Sequence, residues 1–265
     1  MLASNDSPPE VPRFPAPWSL RGHAWMVALR LPAGDPARTA FVPADLRATV
    51  KSAFAVLMCV VYDEAPCGPY RELLFIPGTM HFGDARHPSI SRILVSTWES
   101  VVNGRNNWGI PKDRADFDWT RSETGDHWRV TSEGREVCSL EFTEPTGVRL
   151  PLSTAWVPRK FGTLAQRRDG RIYYYRPEAT GRLRLCRLRR WCFDPELFPD
   201  LSRATVLTAA RIEGFEMVFP VARVVGLLAR RAEPVTGIEV HAQQHRIAIG
   251  ALHRRYRGLK ARRHL

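Results

Sequence analysis

The sequence predicts a mainly antiparallel α+β fold whose strands form a closed or curled sheet. Three observations predict it. Apolar residues recur at period two, three short strands follow one another as a meander between residues 116 and 143, and only two stretches show helical spacing. So many strands in one chain must dispose of their edges, which closing or curling achieves.

Taken in order, residues 1–17 form a polar arm with Pro8, Pro9, Pro12, Pro15 and Pro17, and proline fixes φ and removes a donor. The arm is therefore expected to lie extended over the surface or to be disordered, and not to form a domain. Trp25, Val27, Leu29 and Leu31 alternate as in a half-buried strand. Residues 53–62 are a continuous apolar run carrying Phe54, Val56, Val60 and Val61, and residues 70–76 and 90–98 are further strands. Pro66-Cys67-Gly68-Pro69 and Pro77-Gly78 supply turns. In the meander, Phe117 and Trp119 alternate with polar residues, Trp128 and Val130 follow Gly125-Asp126, and Cys138, Leu140 and Phe142 follow Glu133-Gly134. Residues 171–175 and 182–188 show strand patterning again. Helices are expected at residues 99–107 and at 221–231, where Val221, Val224, Val225 and Leu228 share one face.

With 265 residues, 44% hydrophobic and 10% aromatic, the chain can bury a sizeable core without staples. Its cysteines (Cys59, Cys67, Cys138, Cys186, Cys192) are odd in number and form no C-x-x-C pair, which argues against a disulfide framework or zinc site and for a reducing, cytoplasmic setting. Cys186 and Cys192 read as buried thiols. The N-terminus lacks the basic start and apolar core of a secretory leader. The longest apolar run, ten residues, is about half of a bilayer span, so no membrane partner is expected. His241 and His245 would share a helix face, but no third metal ligand accompanies them. No phosphate loop, dinucleotide fingerprint or Ser-His-Asp arrangement is present, and no cofactor is expected.

The net charge of +12 raises nucleic acid as a partner. Arg182, Arg184, Arg187, Arg189 and Arg190, beside Tyr173, Tyr174, Tyr175 and Trp191, interleave charge with aromatic rings. No recognised binding module accompanies them, and residues 226–265 hold nine Lys and Arg against two Glu, so most of the surplus belongs to a basic C-terminal extension. Nucleic-acid binding through that extension is the minor reading.

The densest group of special residues is Gly104-Arg105-Asn106-Asn107-Trp108-Gly109-Ile110-Pro111-Lys112-Asp113-Arg114-Ala115. A lysine held against apolar walls such as Trp108 and Ile110 loses hydration of its ammonium, which favours the neutral, nucleophilic amine. Glu72, in Gly68-Pro69-Tyr70-Arg71-Glu72, follows a rigid turn and could position that amine or carry its proton. Tyr70 and Trp108 suit pocket walls, and Arg105 suits donation to backbone carbonyls.

These segments, with Trp18-x-Leu20-x-Gly22 and a late Phe219-Pro220, resemble the signature segments of the acetoacetate decarboxylase superfamily over residues 18–225. The resemblance implies a β-rich cone-like domain, homo-oligomers, a Schiff-base lysine at Lys112 and a pocket acid at Glu72. Tyr70, Trp108 and Arg105 are further candidates for substrate contact, and the family's decarboxylases carry a carboxylate-binding arginine near the N-terminus, for which Arg21 and Arg30 are candidates. The implied reaction is decarboxylation of a small β-keto acid. The chain departs from the family's decarboxylases at Asp113, where they carry a second lysine, and at Leu57, where ungapped counting places a second pocket acid. Both departures fit an aldolase-dehydratase activity, or a non-catalytic ligand binder on the same scaffold.

Overall fold

Even- and odd-numbered residues of β1 (Trp18–Arg30) serve two different cores, because successive side chains of a strand point to opposite faces. Trp25, Val27 and Leu29 enter one core, and Trp18, Leu20 and Ala24 the other. The structure, a computed structural model, describes residues 5–83 and 85–226. These belong to one unit, Met1–Leu227.

After β1 come a short helix α1 (Ala44–Arg47) and strands β2 (Ala55–Glu64), β3 (Tyr70–Ile76), β4 (Thr79–Phe82), β5 (Ala85–Pro88) and β6 (Arg92–Val95). Helix α2 (Trp98–Trp108) leads to β7 (Lys112–Arg114) and the meander β8 (Asp116–Ser122), β9 (Gly125–Ser132) and β10 (Arg135–Thr143). Strand β11 (Thr146–Ser153) and helix α3 (Arg159–Gly162) precede β12 (Leu164–Arg168), β13 (Arg171–Tyr175), β14 (Glu178–Cys186), β15 (Leu188–Phe193), β16 (Thr205–Phe219) and β17 (Arg223–Gly226).

The main sheet has eight strands in the order β11-β14-β16-β1-β2-β3-β6-β7. Its pairs are antiparallel except β6 with β7, where α2 supplies the crossover that a parallel pair requires. One face packs on the four-stranded sheet β15-β10-β9-β8. Trp25 anchors that core, its ring centroid 5.1 Å from Trp128 and 5.3 Å from Trp119, and Asp126 accepts from the indole nitrogens of Trp25 and Trp119 at 3.1 Å each. The opposite face carries α2 and a second apolar cluster, and it holds the candidate site.

Two expectations are corrected. No sheet among the described residues closes on itself, since β11 and β7 end the main sheet, so a hydrogen-bonded barrel is not formed. Of the helix expected at 221–231, residues 223–226 form the strand β17, with Val224 opposite Tyr173. A Val-Val pair suits a pleated edge, and the free edge of β13 decides between the two patterns. The rest of that stretch, His241, His245 and the basic extension beyond Gly226 lie outside the described residues. Cys186 is buried as expected, whereas Cys192 is exposed. Among the described residues no helix is long and apolar enough to cross a membrane.

From residue 5 onward the proline-rich arm is fastened to α2. Asn103 accepts from the Phe14 amide at 2.7 Å and donates to Pro12 O at 3.0 Å, and Asn107 donates to Phe14 O at 2.8 Å.

Candidate active site

Thr97 caps α2 by accepting from the Ser100 amide at 3.3 Å, and Gly109, in the left-handed region at φ 64°, ends it. The chain then turns through Pro111 and enters β7, which places Lys112 beside Ile93 of β6. Ser100 and Gly104 are four apart on α2 and face Lys112 together. Gly104 makes the room: a Cβ there would stand 2.7 Å from Lys112 Cδ and 2.9 Å from Cε.

Lys112 Nζ donates to Glu72 Oε2 at 2.9 Å and to Ser100 Oγ at 3.0 Å, and lies 5.0 Å from the Tyr70 ring centroid. Both charged residues are buried, Lys112 4% and Glu72 3% exposed. Tyr62 donates to Glu72 Oε1 at 3.2 Å and stacks on Tyr70 at 4.3 Å. Burial, reinforced by the Glu72 carboxylate, pushes both phenols well above the ordinary tyrosine range, so Tyr62 remains a proton donor. Desolvating an ion pair is expensive, and only close geometry with further hydrogen bonds offsets it. Here the carboxylate has two partners and the ammonium two, plus an aromatic face. Moving one proton along the 2.9 Å contact turns the pair into a free amine beside a carboxylic acid, the two forms needed to attack a carbonyl and protonate its oxygen.

The pair sits at the buried end of a cavity of about 780 Å³. Its walls are largely apolar, with Leu20, Met58, Val60, Leu74 and Ile93 from the sheet and Trp108 from α2. Trp108 is fixed by donating from Nε1 to Pro220 O at 2.7 Å, which ties α2 to the late Phe219-Pro220 segment. Tyr70 and Trp108 both line the cavity.

The arginine candidates do not line the cavity. Arg105 donates to Lys112 O at 2.7 Å, Asp113 Oδ1 at 2.7 Å and Asn5 O at 3.0 Å, so it holds β7 in place from outside. Arg21 is exposed and pairs with Glu216 at 3.1 Å and Glu64 at 3.7 Å, and Arg30 is exposed at the end of β1. Arg21, Arg30 and Arg105, the arginine candidates for substrate contact, thus stand outside the lining of this cavity. Alternation explains Arg21: Trp18 and Leu20 take the cavity side, and position 21 takes the other. The same parity puts Leu57 in the opposite core, while Val56 and Met58 line the cavity. Asp113 also points away from the cavity, where Arg92 and Arg105 bind it.

Sequence reasoning missed Ser100, whose signal was its four-residue spacing from Gly104. It also missed Lys51, Arg86 and Arg176, which line the outer part of the cavity. Tyr173 and Tyr175 are buried, so they offer no stacking faces beside the arginines of β14 and β15.

No protein-family model matches the chain. The rice (Oryza sativa subsp. japonica) Protein NEOXANTHIN-DEFICIENT 1 is 31% identical over 109 residues, a stretch covering 40% of this chain and 35% of that protein. The match thus spans about a third of the curated relative. An acetoacetate decarboxylase from Legionella pneumophila superposes with a TM-score of 0.63 at 12% identity, covering 82% of this chain and 92% of that one. An acetoacetate decarboxylase-like enzyme from Sphingomonas wittichii RW1 gives 0.58 at 14% identity, covering 80% and 94%. The enduracididine biosynthesis enzyme MppR gives 0.55 at 15% identity, covering 82% and 90%. The chain has the fold of the acetoacetate decarboxylase superfamily.

Proposed function

We propose that the chain is a Schiff-base-forming lyase of the acetoacetate decarboxylase superfamily, acting on a keto acid with Lys112 as nucleophile and Glu72 as its proton partner. The observation that carries this reading is the buried Lys112–Glu72 contact at the closed end of an apolar cavity. Glu72 takes a proton from Lys112, and the free amine attacks the ketone carbon. Glu72 gives its proton to the oxygen, takes a second from the nitrogen of the carbinolamine and passes it to the hydroxyl, which leaves as water, and the resulting iminium accepts the electron pair of the carbon–carboxylate bond as CO2 departs. The enamine is protonated at carbon and water releases the ketone. Arg105 acts as a positioning residue through the Lys112 carbonyl. Homo-oligomeric assembly and a cytoplasmic setting belong to the same proposal.

An aldolase-dehydratase reaction uses the same iminium as its electron sink and is the second reading. The engagement of Asp113 with Arg92 and Arg105, where a decarboxylase has a second lysine, favours it.

Imine formation followed by hydrolysis returns a solvent oxygen to the carbonyl. In heavy-oxygen water the protein is expected to accelerate label uptake into keto acids or their ketone products, followed by mass spectrometry. Lys112→Met is expected to fall to the uncatalysed rate. Equal exchange by Lys112→Met would overturn the proposal.

A further inference from the structure

We infer that the cavity is built for a carbonyl compound with a long apolar tail, about ten carbons or more, its carbonyl at Lys112 and its tail directed to the mouth. This rests on the Schiff-base reading for the carbonyl end and on the cavity alone for the tail.

The register of β2 with β3 measures the depth. Val60 stands opposite Glu72, Met58 opposite Leu74 and Val56 opposite Ile76, and all six line the cavity. Four residues at about 3.3 Å each make roughly 13 Å from the carboxylate level to the Ile76 level. Every side chain on that wall beyond Glu72 is apolar. An extended chain advances about 1.2 Å per bond, so about eleven bonds cover the distance.

Volume points the same way. A cavity of about 780 Å³ has room for about 26 water-sized groups at about 30 Å³ each. A small keto acid would leave most of it to water that finds few polar partners. Two of the cations that line the cavity are partly engaged: Arg176 donates from one Nη to Thr154 O at 3.3 Å and Val157 O at 3.0 Å, its Nε having no hydrogen-bond partner among the described residues, and Arg86 donates to the carbonyls of Thr79 and Thr49, while Lys51 lines the cavity as a third.

The mouth carries large apolar side chains beside Lys51, Arg86 and Arg176. Phe54 and Phe161, both lining residues, are 66% and 57% exposed, and Val157 beside them is also exposed. Large apolar side chains in water at the rim of an apolar cavity are the surface expected where an apolar ligand enters.

The test is a homologous series of methyl ketones and 3-oxo acids, below their micelle concentrations, titrated by tryptophan fluorescence. Affinity is expected to tighten by about fourfold per added methylene, then level off near ten carbons or beyond. The gain should persist in Lys112→Met, or in the pair Glu72→Leu/Lys112→Met should the single variant not fold. Gly162→Trp is expected to stop the gain at a shorter chain. The nearest atoms to a Cβ there are Arg176 Nε at 3.4 Å, Val157 Cγ1 at 3.6 Å and Arg176 Cδ at 3.9 Å, so the Cβ itself makes ordinary contacts at the mouth. Affinity independent of chain length would overturn the inference. Oxygen exchange on short ketones without any chain-length gain would sink the tail and leave the Schiff-base chemistry. A gain with no exchange would sink the chemistry and leave the tail.

Discussion

Glu72→Leu is expected to destabilise the protein by about 3–5 kcal/mol, because it strands the Lys112 ammonium in a buried site. Lys112→Met should cost a similar amount by stranding the Glu72 carboxylate. The double variant, with two apolar side chains of similar volume, is expected to lie close to wild type or above it, since replacing a buried pair removes both desolvation penalties. The coupling in this cycle is therefore large and opposite in sign to the single losses. Urea denaturation of the four proteins measures it. Single losses that simply add in the double variant would mean that the two charges do not depend on each other. The expected cost is a large share of a typical domain's stability of about 5–15 kcal/mol, which makes the pair a poor choice for stability alone. Its retention suits a chemical role for the amine.

Gly104→Ala is expected to lower Lys112-dependent oxygen exchange by about 100-fold while changing stability little. The new methyl carbon would stand 2.7 Å from Lys112 Cδ, closer than packed carbons come, so the lysine must move. Displacing a reacting group by about 1 Å can cost about 100-fold in rate. Against the strain stands the gain of about 1 kcal/mol from replacing glycine in a helix interior. A folded Gly104→Ala protein with full exchange would show that Lys112 does not need the space. Circular dichroism and the exchange rate on the same sample separate the two effects.

The strands were legible where alternation and turn glycines agree, as in the meander of β8, β9 and β10. Helix α2 was legible from the spacing within residues 99–107, and its cap at Thr97 and stop at Gly109 define its ends. Lys112 and Glu72 stood out because a lysine after Gly-Ile-Pro and an acid after Gly-Pro-Tyr sit at turn-fixed strand entrances that resemble a known family. Ser100 did not, since a serine inside a helix acquires meaning only when β6, α2 and β7 bring it to Lys112. Arg86 and Arg176 come from strand and loop positions whose approach to the cavity depends on tertiary contacts. Val224 and Val225 satisfy helical and strand patterns equally, and the edge of β13 decides. Arg21 and Leu57 teach a narrower point: strand parity alone, read from Trp18 and Leu20 or from Val56 and Met58, places both on the wrong face for the cavity.

The central claim is that the Lys112 amine forms a covalent imine. Borohydride reduction of the protein in the presence of keto acids, followed by peptide mapping, tests it most directly. The account predicts a mass increment on the peptide holding Lys112, absent in Lys112→Met and in the Glu72→Leu/Lys112→Met pair. Label that falls on other lysines with Lys112 unmodified across short and long substrates would contradict it.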